Sequence, residues 1–296
     1  METESTRGLS VVIPAYNEEK GIVGVVNRVL SVLEPSSLPF EIIVVDDGSR
    51  DQTVEALRGR PVQVLHHETN RGYGAALKTG IHASRHRHVA ILDADGTYEE
   101  RDLPKLIEHM EDHDMVVAAR TGKDAKIPLL RKPAKWILNR LADFLTETHI
   151  PDLNSGFRIF DKSVAKKFFS ILPSTFSFTS TLTMALLTNG YSIKYVPSGY
   201  KTRKGKSKIR PLHDTANFFS LIVRTALYFA PLKVFIPLSL SLIGLSLVKM
   251  IAIDILLIQN MTDSTLFLFL AGVQIGMLGL LADLIDKRSP PSGKDD

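Results

Sequence analysis

The sequence predicts an α/β fold, a mostly parallel sheet with helices on both faces, followed by a two-helix transmembrane hairpin. Three observations predict it. Short apolar runs alternate with segments of helical period through the first two thirds of the chain. Acidic, polar turns follow three of those runs. The last third holds two long apolar stretches joined by a short polar turn.

Leu9-Ser10-Val11-Val12-Ile13-Pro14 reads as the first buried strand. Asn17 is placed to cap the next helix, with Glu18 and Glu19 in its first turn. Ile22, Val25, Val26, Val29, Leu30 and Leu33 recur at helical spacing along it. Phe40 to Val45 is a second strand, ending in Asp46-Asp47-Gly48-Ser49, and a short helix is expected from about Asp51. Val62 to Leu65 is a third strand, and a helix from about Tyr73 to Ser84 follows Asn70-Arg71-Gly72. Val89 to Leu92 is a fourth strand and runs into Asp93-Ala94-Asp95. Leu103 to Met110 reads as helix and Met115 to Ala119 as a fifth strand. From Lys132 to Phe169 the pattern is helical, interrupted at Ile150 to Gly156. A helix from about Thr179 to Asn189 and a strand at Ser192 to Val196 complete the domain.

Fully apolar strands alternating with helices belong to parallel sheets buried on both faces. Ligands bind such sheets beyond the carboxyl ends of the strands. The turns at Tyr16-Asn17-Glu18, Asp46-Asp47 and Asp93-Ala94-Asp95 should therefore converge on one cleft. Two carboxylates at i and i+2 offer hard oxygens, which suit Mg²⁺ or Mn²⁺ holding a diphosphate.

Leu212 to Phe229 reads as an amphipathic helix, either a core face or an interfacial segment. Val234 to Ile258 and Leu266 to Ala282 are each near the ~20 residues that cross a ~30 Å hydrocarbon core. Arg224 and Lys233 precede the first stretch, and Lys287, Arg288 and Lys294 follow the second, while the loop between has no basic residue. That asymmetry puts both ends on the cytoplasmic side. Lys249 should snorkel at the far interface, with Asp254 at or beyond it. The expected organisation is a catalytic domain at 1–210, an interfacial helix at 211–230, spans at 231–258 and 264–286, and a tail at 287–296. The net charge of +4 and the lack of a basic, aromatic-interleaved arm argue against nucleic acid. The chain has no cysteine, which removes disulfide and thiolate chemistry. His66 and His67 read as structural, and His82, His86 and His88 as solvated surface.

The motifs carry a resemblance. Val12-Ile13-Pro14-Ala15-Tyr16-Asn17-Glu18-Glu19 resembles the opening of glycosyltransferase family 2. Val44 to Ser49 and Asn70 to Ala76 are similar to its next two blocks, and Asp93-Ala94-Asp95-Gly96 to its DXD block. Asp152-Leu153-Asn154-Ser155-Gly156-Phe157-Arg158 and the two spans resemble the polyprenyl-phosphate branch of dolichyl-phosphate mannose synthases. The resemblance implies a GT-A, Rossmann-like fold and an inverting transfer of sugar from a nucleotide diphosphate to a polyprenyl phosphate, dolichyl or undecaprenyl. It implies that Pro14, Tyr16, Glu18 and Asp46 line the nucleoside pocket and that Asp93 and Asp95 hold the metal and diphosphate. Lys78 and Ser207 are further donor-binding candidates. Gly96 stands where many relatives carry a polar residue, which leaves open the third protein ligand.

A phosphate acceptor is already anionic and needs cations rather than a strong base. Arg120, Arg131, Arg203 and Lys206 are the candidates. The Lys201 to Arg210 cluster also reads as a juxtamembrane patch for anionic lipid. Asp152 and Asn154 either position a substrate or cap the helix after their turn. The alternatives are a processive family-2 polysaccharide synthase and a non-catalytic nucleotide-binding scaffold. The single tryptophan, Trp136, does not sit in the QXXRW-like block that the first would carry, and the paired Asp argues against the second. Self-association through the spans is compatible with the sequence.

Overall fold

Seven strands form one mixed sheet: β1 Leu9–Ala15, β2 Phe40–Asp46, β3 Gln63–His66, β4 His88–Ile91, β5 Met115–Arg120, β6 Arg158–Asp161 and β7 Ile193–Ser198. Their order is β3-β2-β1-β4-β6-β5-β7. The computed structural model describes residues 8–120, 140, 142–200, 227, 228 and 230–288 of the chain. The chain divides into two compact units, Met1–Phe218 and Phe219–Asp296.

β1 pairs in parallel with β2 and β4, β2 with β3, and β5 with β7. Every residue of β1 is buried, as a central strand covered on both faces must be. Helix α1, Ile22–Leu33, buries Ile22, Val25, Val26, Val29 and Leu33, the predicted face. Helix α2 is Tyr73–Ala83 and α3 is Leu103–Ile107. Pro14 is tolerated inside β1 for a definable reason. Leu92 N–H donates to Val12 O, so Val12 and Pro14 face β4, and the β4 pairing ends at Val12–Ile91. The missing N–H therefore falls where no ladder bond is due.

The stretch expected to be helical up to Phe169 instead contains β6. It runs antiparallel to both β4 and β5 and separates them in the sheet. Four residues are too few to show a period, and Arg158 and Asp161 at its ends look exposed in sequence. Both are buried because each finds polar partners: Arg158 is fully buried, and Asp161 pairs with Arg87 at 2.8 Å. Helix α4, Lys162–Lys167, follows, capped by Asp161, and α5 is Phe178–Thr188.

Three smaller expectations also change. The short helix after Asp51 is one 3-10 turn, Glu55–Leu57. Asn17 does not cap α1, which starts after Gly21; Asn17 is left-handed at φ 53 and its Oδ1 accepts from Arg50 N–H. His88 is buried at the start of β4 rather than solvated, and that burial pulls its pKa down.

The second unit is a helical hairpin. Helix α6, Pro231–Lys249, continues into a π-helical segment, Met250–Ile258, and α7 spans Asp263–Arg288. Both arms are long and apolar enough to cross a membrane. Ser239 Oγ donates to Gly272 O, and Ser246 Oγ to Thr265 O, each at 2.8 Å, so these two hydroxyls tie one arm to the other. Lys249 and Asp254 do not snorkel outward. Asp254 is 1% exposed, and Lys249 donates to it and to Thr262 and Thr265 at 2.6–3.1 Å. Pairing within the hairpin is what an ion among apolar helices requires.

Candidate active site

The carboxyl ends of β1, β2 and β4 carry the three predicted turns, and hydrogen bonds join them. Asp47 N–H donates to Ala15 O at 2.8 Å. Asn17 N–H reaches Ser49 Oγ and Glu18 N–H reaches Thr53 Oγ1, both at 2.9 Å. This fixes the half-buried Tyr16 and Glu18 beside the β2 turn. Gly21 packs against the Ala94 carbonyl so closely that a Cβ there would lie 2.7 Å from it. The β1 loop therefore lies against the β4 loop.

Asp46 and Asp47 are 0% and 3% exposed. His66 Nδ1 lies 2.6 Å from Asp46 Oδ2, and Ser49 N–H donates to the same carboxylate. Asp47 accepts from the Arg71 and Gly72 N–H groups at 2.9 and 2.8 Å and meets His67 Nδ1 at 2.7 Å. The amino end of α2 is thus closed by protein groups: Asp47 takes two N–H donors, and Ser174 O takes those of Gly74 and Ala75. The turn is an internal brace rather than a phosphate cradle.

The β4 turn is different. Asp93 and Asp95 are half-buried, with buried Ala94 between them. Tyr73 Oη donates to Asp93 Oδ1 at 2.8 Å. Burial and the Asp93 charge push the Tyr73 phenol well above its ordinary pKa, so it stays a donor. Asp95 Oδ1 accepts from Thr97 N–H and Oγ1 at 3.1 and 2.7 Å. Gly96 has φ +68, a backbone requirement that explains a glycine where a polar side chain could have ligated.

The segment before β6 supplies the remaining wall. Arg120 Nε and Nη2 bind both oxygens of Asp152 at 2.7 and 2.8 Å. The Arg120 guanidinium also lies over the Tyr200 ring, 5.2 Å from its centroid. Burial alone would lower the Arg120 pKa; the Asp152 hydrogen bond and charge outweigh it and raise it. Burial likewise opposes ionisation of Asp152, and the Arg120 contacts prevail and hold its carboxyl below the usual range. Arg158 donates to Thr179 O, Thr183 Oγ1 and Ser155 O, and so ties the Asp152–Gly156 turn to α5. A Cβ on Gly156 would lie 2.7 Å from Asp93 Oδ2, so only glycine lets this turn close on the β4 carboxylate.

The predicted site residues thus meet different fates. Asp93 and Asp95 come together with Tyr16 and Glu18 at the joined turns, and Pro14 is buried in the adjoining strand. Asp46 is in place but turned inward to His66 and Ser49. Lys78 is reassigned: its ammonium donates to Phe169 O and Leu172 O at 2.9 and 2.5 Å, so it ties the chain after α4 to α2. Arg120 is largely spent on Asp152, and Asp152 neither caps a helix nor stands open to a ligand. Arg131, Arg203, Lys206, Ser207 and nearly all of 211–230 lie outside the described residues. Sequence reasoning missed Tyr73, Gly156 and the Arg120–Asp152 pair. The first two lie inside motif blocks, but their aim at Asp93 is a tertiary contact.

Asp93 and Asp95 fit a hard divalent cation in donor type. Among the described residues no group of three or more His, Cys, Asp or Glu could enclose one.

Comparison with known proteins agrees with this architecture. The chain shares 33% identity over 190 residues with human dolichyl-phosphate beta-glucosyltransferase, covering 56% of this chain and 59% of that one. It is 30% identical over 166 residues to dodecaprenyl-phosphate galacturonate synthase of Rhizobium johnstonii, covering 54% and 49%. It is 29% identical over 221 residues to dolichyl-phosphate hexose transferase of Haloferax volcanii, covering 74% and 94%. The chain thus spans under two thirds of the first two relatives. In fold it is similar to glucosyl-3-phosphoglycerate synthase of Mycobacterium tuberculosis, solved with Mn²⁺, UDP and glucosyl-3-phosphoglycerate. The TM-score is 0.58 at 20% identity, covering 75% of this chain and 79% of that one. The GtrB C-terminal hairpin matches residues 230–287. Glycosyl transferase family 2 matches residues 10–169, more than half of the sequence, and the chain belongs to that family.

Proposed function

We propose that the protein is a membrane-anchored, metal-dependent, inverting glycosyltransferase that moves a sugar from a nucleotide diphosphate to a polyprenyl phosphate. The observation that carries this reading is the half-buried Asp93/Asp95 pair at the carboxyl end of β4, in a chain that also holds a hairpin long enough to cross a membrane. The relatives named above for dolichyl- and dodecaprenyl-phosphate support the acceptor class.

Tyr16 and Glu18, on the turn fixed to β2, are placed to meet the nucleoside. Asp93 and Asp95 would hold Mg²⁺ or Mn²⁺, which when bound supplies positive charge to the departing diphosphate. The acceptor phosphate attacks as an anion and asks the protein for orientation and cations. Arg120 already spends Nε and Nη2 on Asp152; among the described residues its Nη1 makes no hydrogen bond, and it can offer that edge alone. Arg131, Arg203 and Lys206 are assigned the larger share of the acceptor's charge. The basic flanks of the hairpin support a catalytic domain and both termini on the cytoplasmic side.

The test incubates membranes containing the full chain with a panel of radiolabelled nucleotide sugars and polyprenyl phosphate, with and without Mn²⁺. Lipid-linked sugar from one donor, dependent on the metal, is the expected result. No lipid-linked product from any donor sinks the reading.

A further inference from the structure

One contact at the candidate site has no place in the scheme above. The Tyr73 hydroxyl donates to Asp93 Oδ1, and the Tyr73 ring stacks on Phe176 with centroids 5.2 Å apart and planes 21° apart. Phe176 is 71% exposed, an unusual state for a large aromatic ring. Yet the segment around it is tightly docked. Ser174 O accepts from Gly74 N–H at 2.9 Å and from Ala75 N–H at 3.4 Å. The Pro173 carbonyl lies against Gly74 so closely that no Cβ fits there. Lys78 draws Phe169 O and Leu172 O onto the same helix. From the other side, the Gly156 backbone abuts Asp93 Oδ2. The Asp93 carboxylate is thereby gripped between a phenol and a backbone wall, each held by its own packing.

We propose that Tyr73 is a positioning residue for Asp93, braced by the 169–177 segment through Phe176 and Lys78, and that it sets the affinity of the Asp93/Asp95 pair for a divalent cation. The inference rests on the reading of those carboxylates as cation ligands. A carboxylate rotates freely about its last bond unless a donor fixes its plane, and partners behind a metal ligand do that work. A phenol on Oδ1 leaves one orientation for the carboxylate, and Gly156 limits its retreat. The exposed ring of Phe176 keeps Tyr73 from swinging away, which the hydroxyl alone would not.

The experiment measures Mn²⁺ binding to the purified full chain in detergent micelles by electron paramagnetic resonance, with UDP and GDP as the two nucleotide probes. Tyr73→Phe keeps the ring and its stacking and removes only the hydroxyl. It should weaken Mn²⁺ binding about tenfold, the lower end of what loss of such a partner costs, with an unchanged melting temperature. Phe176→Ala should weaken it in the same direction by about threefold, because the donor remains but is less well held. Metal-free nucleotide binding should not change in either variant. Equal Mn²⁺ affinity in wild type and Tyr73→Phe overturns the positioning role and leaves Tyr73 a packing residue. If Tyr73→Phe does not fold, Phe176→Ala and Lys78→Met carry the same test, and unchanged affinity in both overturns it. A wild-type chain that binds no Mn²⁺ with either nucleotide overturns this inference and the metal assignment together. Mn²⁺ binding that depends on Tyr73, in a chain that transfers no sugar, supports the positioning role and overturns the proposed reaction alone.

Discussion

Two acidic pairs sit at the carboxyl ends of neighbouring regions of one sheet, and they do opposite jobs. Asp46 and Asp47 end β2, are almost fully buried, and receive His66, His67, Ser49 and two N–H groups of the 70–72 turn. Asp93 and Asp95 follow β4 and remain half-exposed, with Tyr73 and Thr97 each fixing one oxygen. The chemistry of the side chains is the same. What differs is burial. Asp46 and Asp47 are closed off among donors that hold loops together, whereas Asp93 and Asp95 are oriented at positions solvent still reaches.

That contrast can be broken from either side. The largest effect should come from Asp95→Ala, which on the proposed function lowers sugar transfer by about a thousandfold or more, while the melting temperature stays near wild type. Full activity in a transfer assay would show that the metal site is misplaced. Asp47→Ala should do the reverse: a stability loss of about 3 kcal/mol, because it strands two N–H donors and a buried imidazole. Denaturant titration of the solubilised protein measures it, and a loss near zero would mean the buried pair is not the brace described above. Asp152 sharpens the comparison, since it is buried like Asp47 yet lies at the rim. Its carboxyl is held below the usual range, so the Arg120 pair stabilises the fold fully above the unfolded carboxyl pKa of about 3.9 and loses that contribution as pH falls from there through the lower folded value. Thermal melts by circular dichroism between about pH 6 and pH 3 should fall more steeply for wild type than for Asp152→Asn. Parallel curves would contradict it. The smallest change is expected for Lys78→Met, about 1 kcal/mol of stability from two lost carbonyl contacts that are partly replaceable by water.

Legibility followed pattern length and chemistry. β1, β2 and β4 were readable because each is an apolar run next to a polar turn, and burial on both faces demands that pattern; the edge strands β3 and β7 are only partly buried. β6 was not readable, since its four residues carry an arginine and an aspartate that only buried partners make tolerable. Lys249 and Asp254 show the same limit in the hairpin: the cost of the charges was visible, but not that Asp254 answers Lys249 on the same arm while Thr262 and Thr265 close on both from across the turn. Asp93 and Asp95 were legible as a motif; the inward turn of Asp46 and the diversion of Lys78 to main-chain carbonyls were not.

The sequence by itself determined the strand-and-helix alternation, the hairpin and the acidic turns at one end of the sheet, because periodicity and apolar length act locally along the chain. Only the tertiary structure decided which carboxylates are fully buried and which donors orient each of them. That choice depends on donors from residues distant in sequence, Tyr73 for Asp93 and Arg120 for Asp152, whose approach is set by packing rather than by spacing.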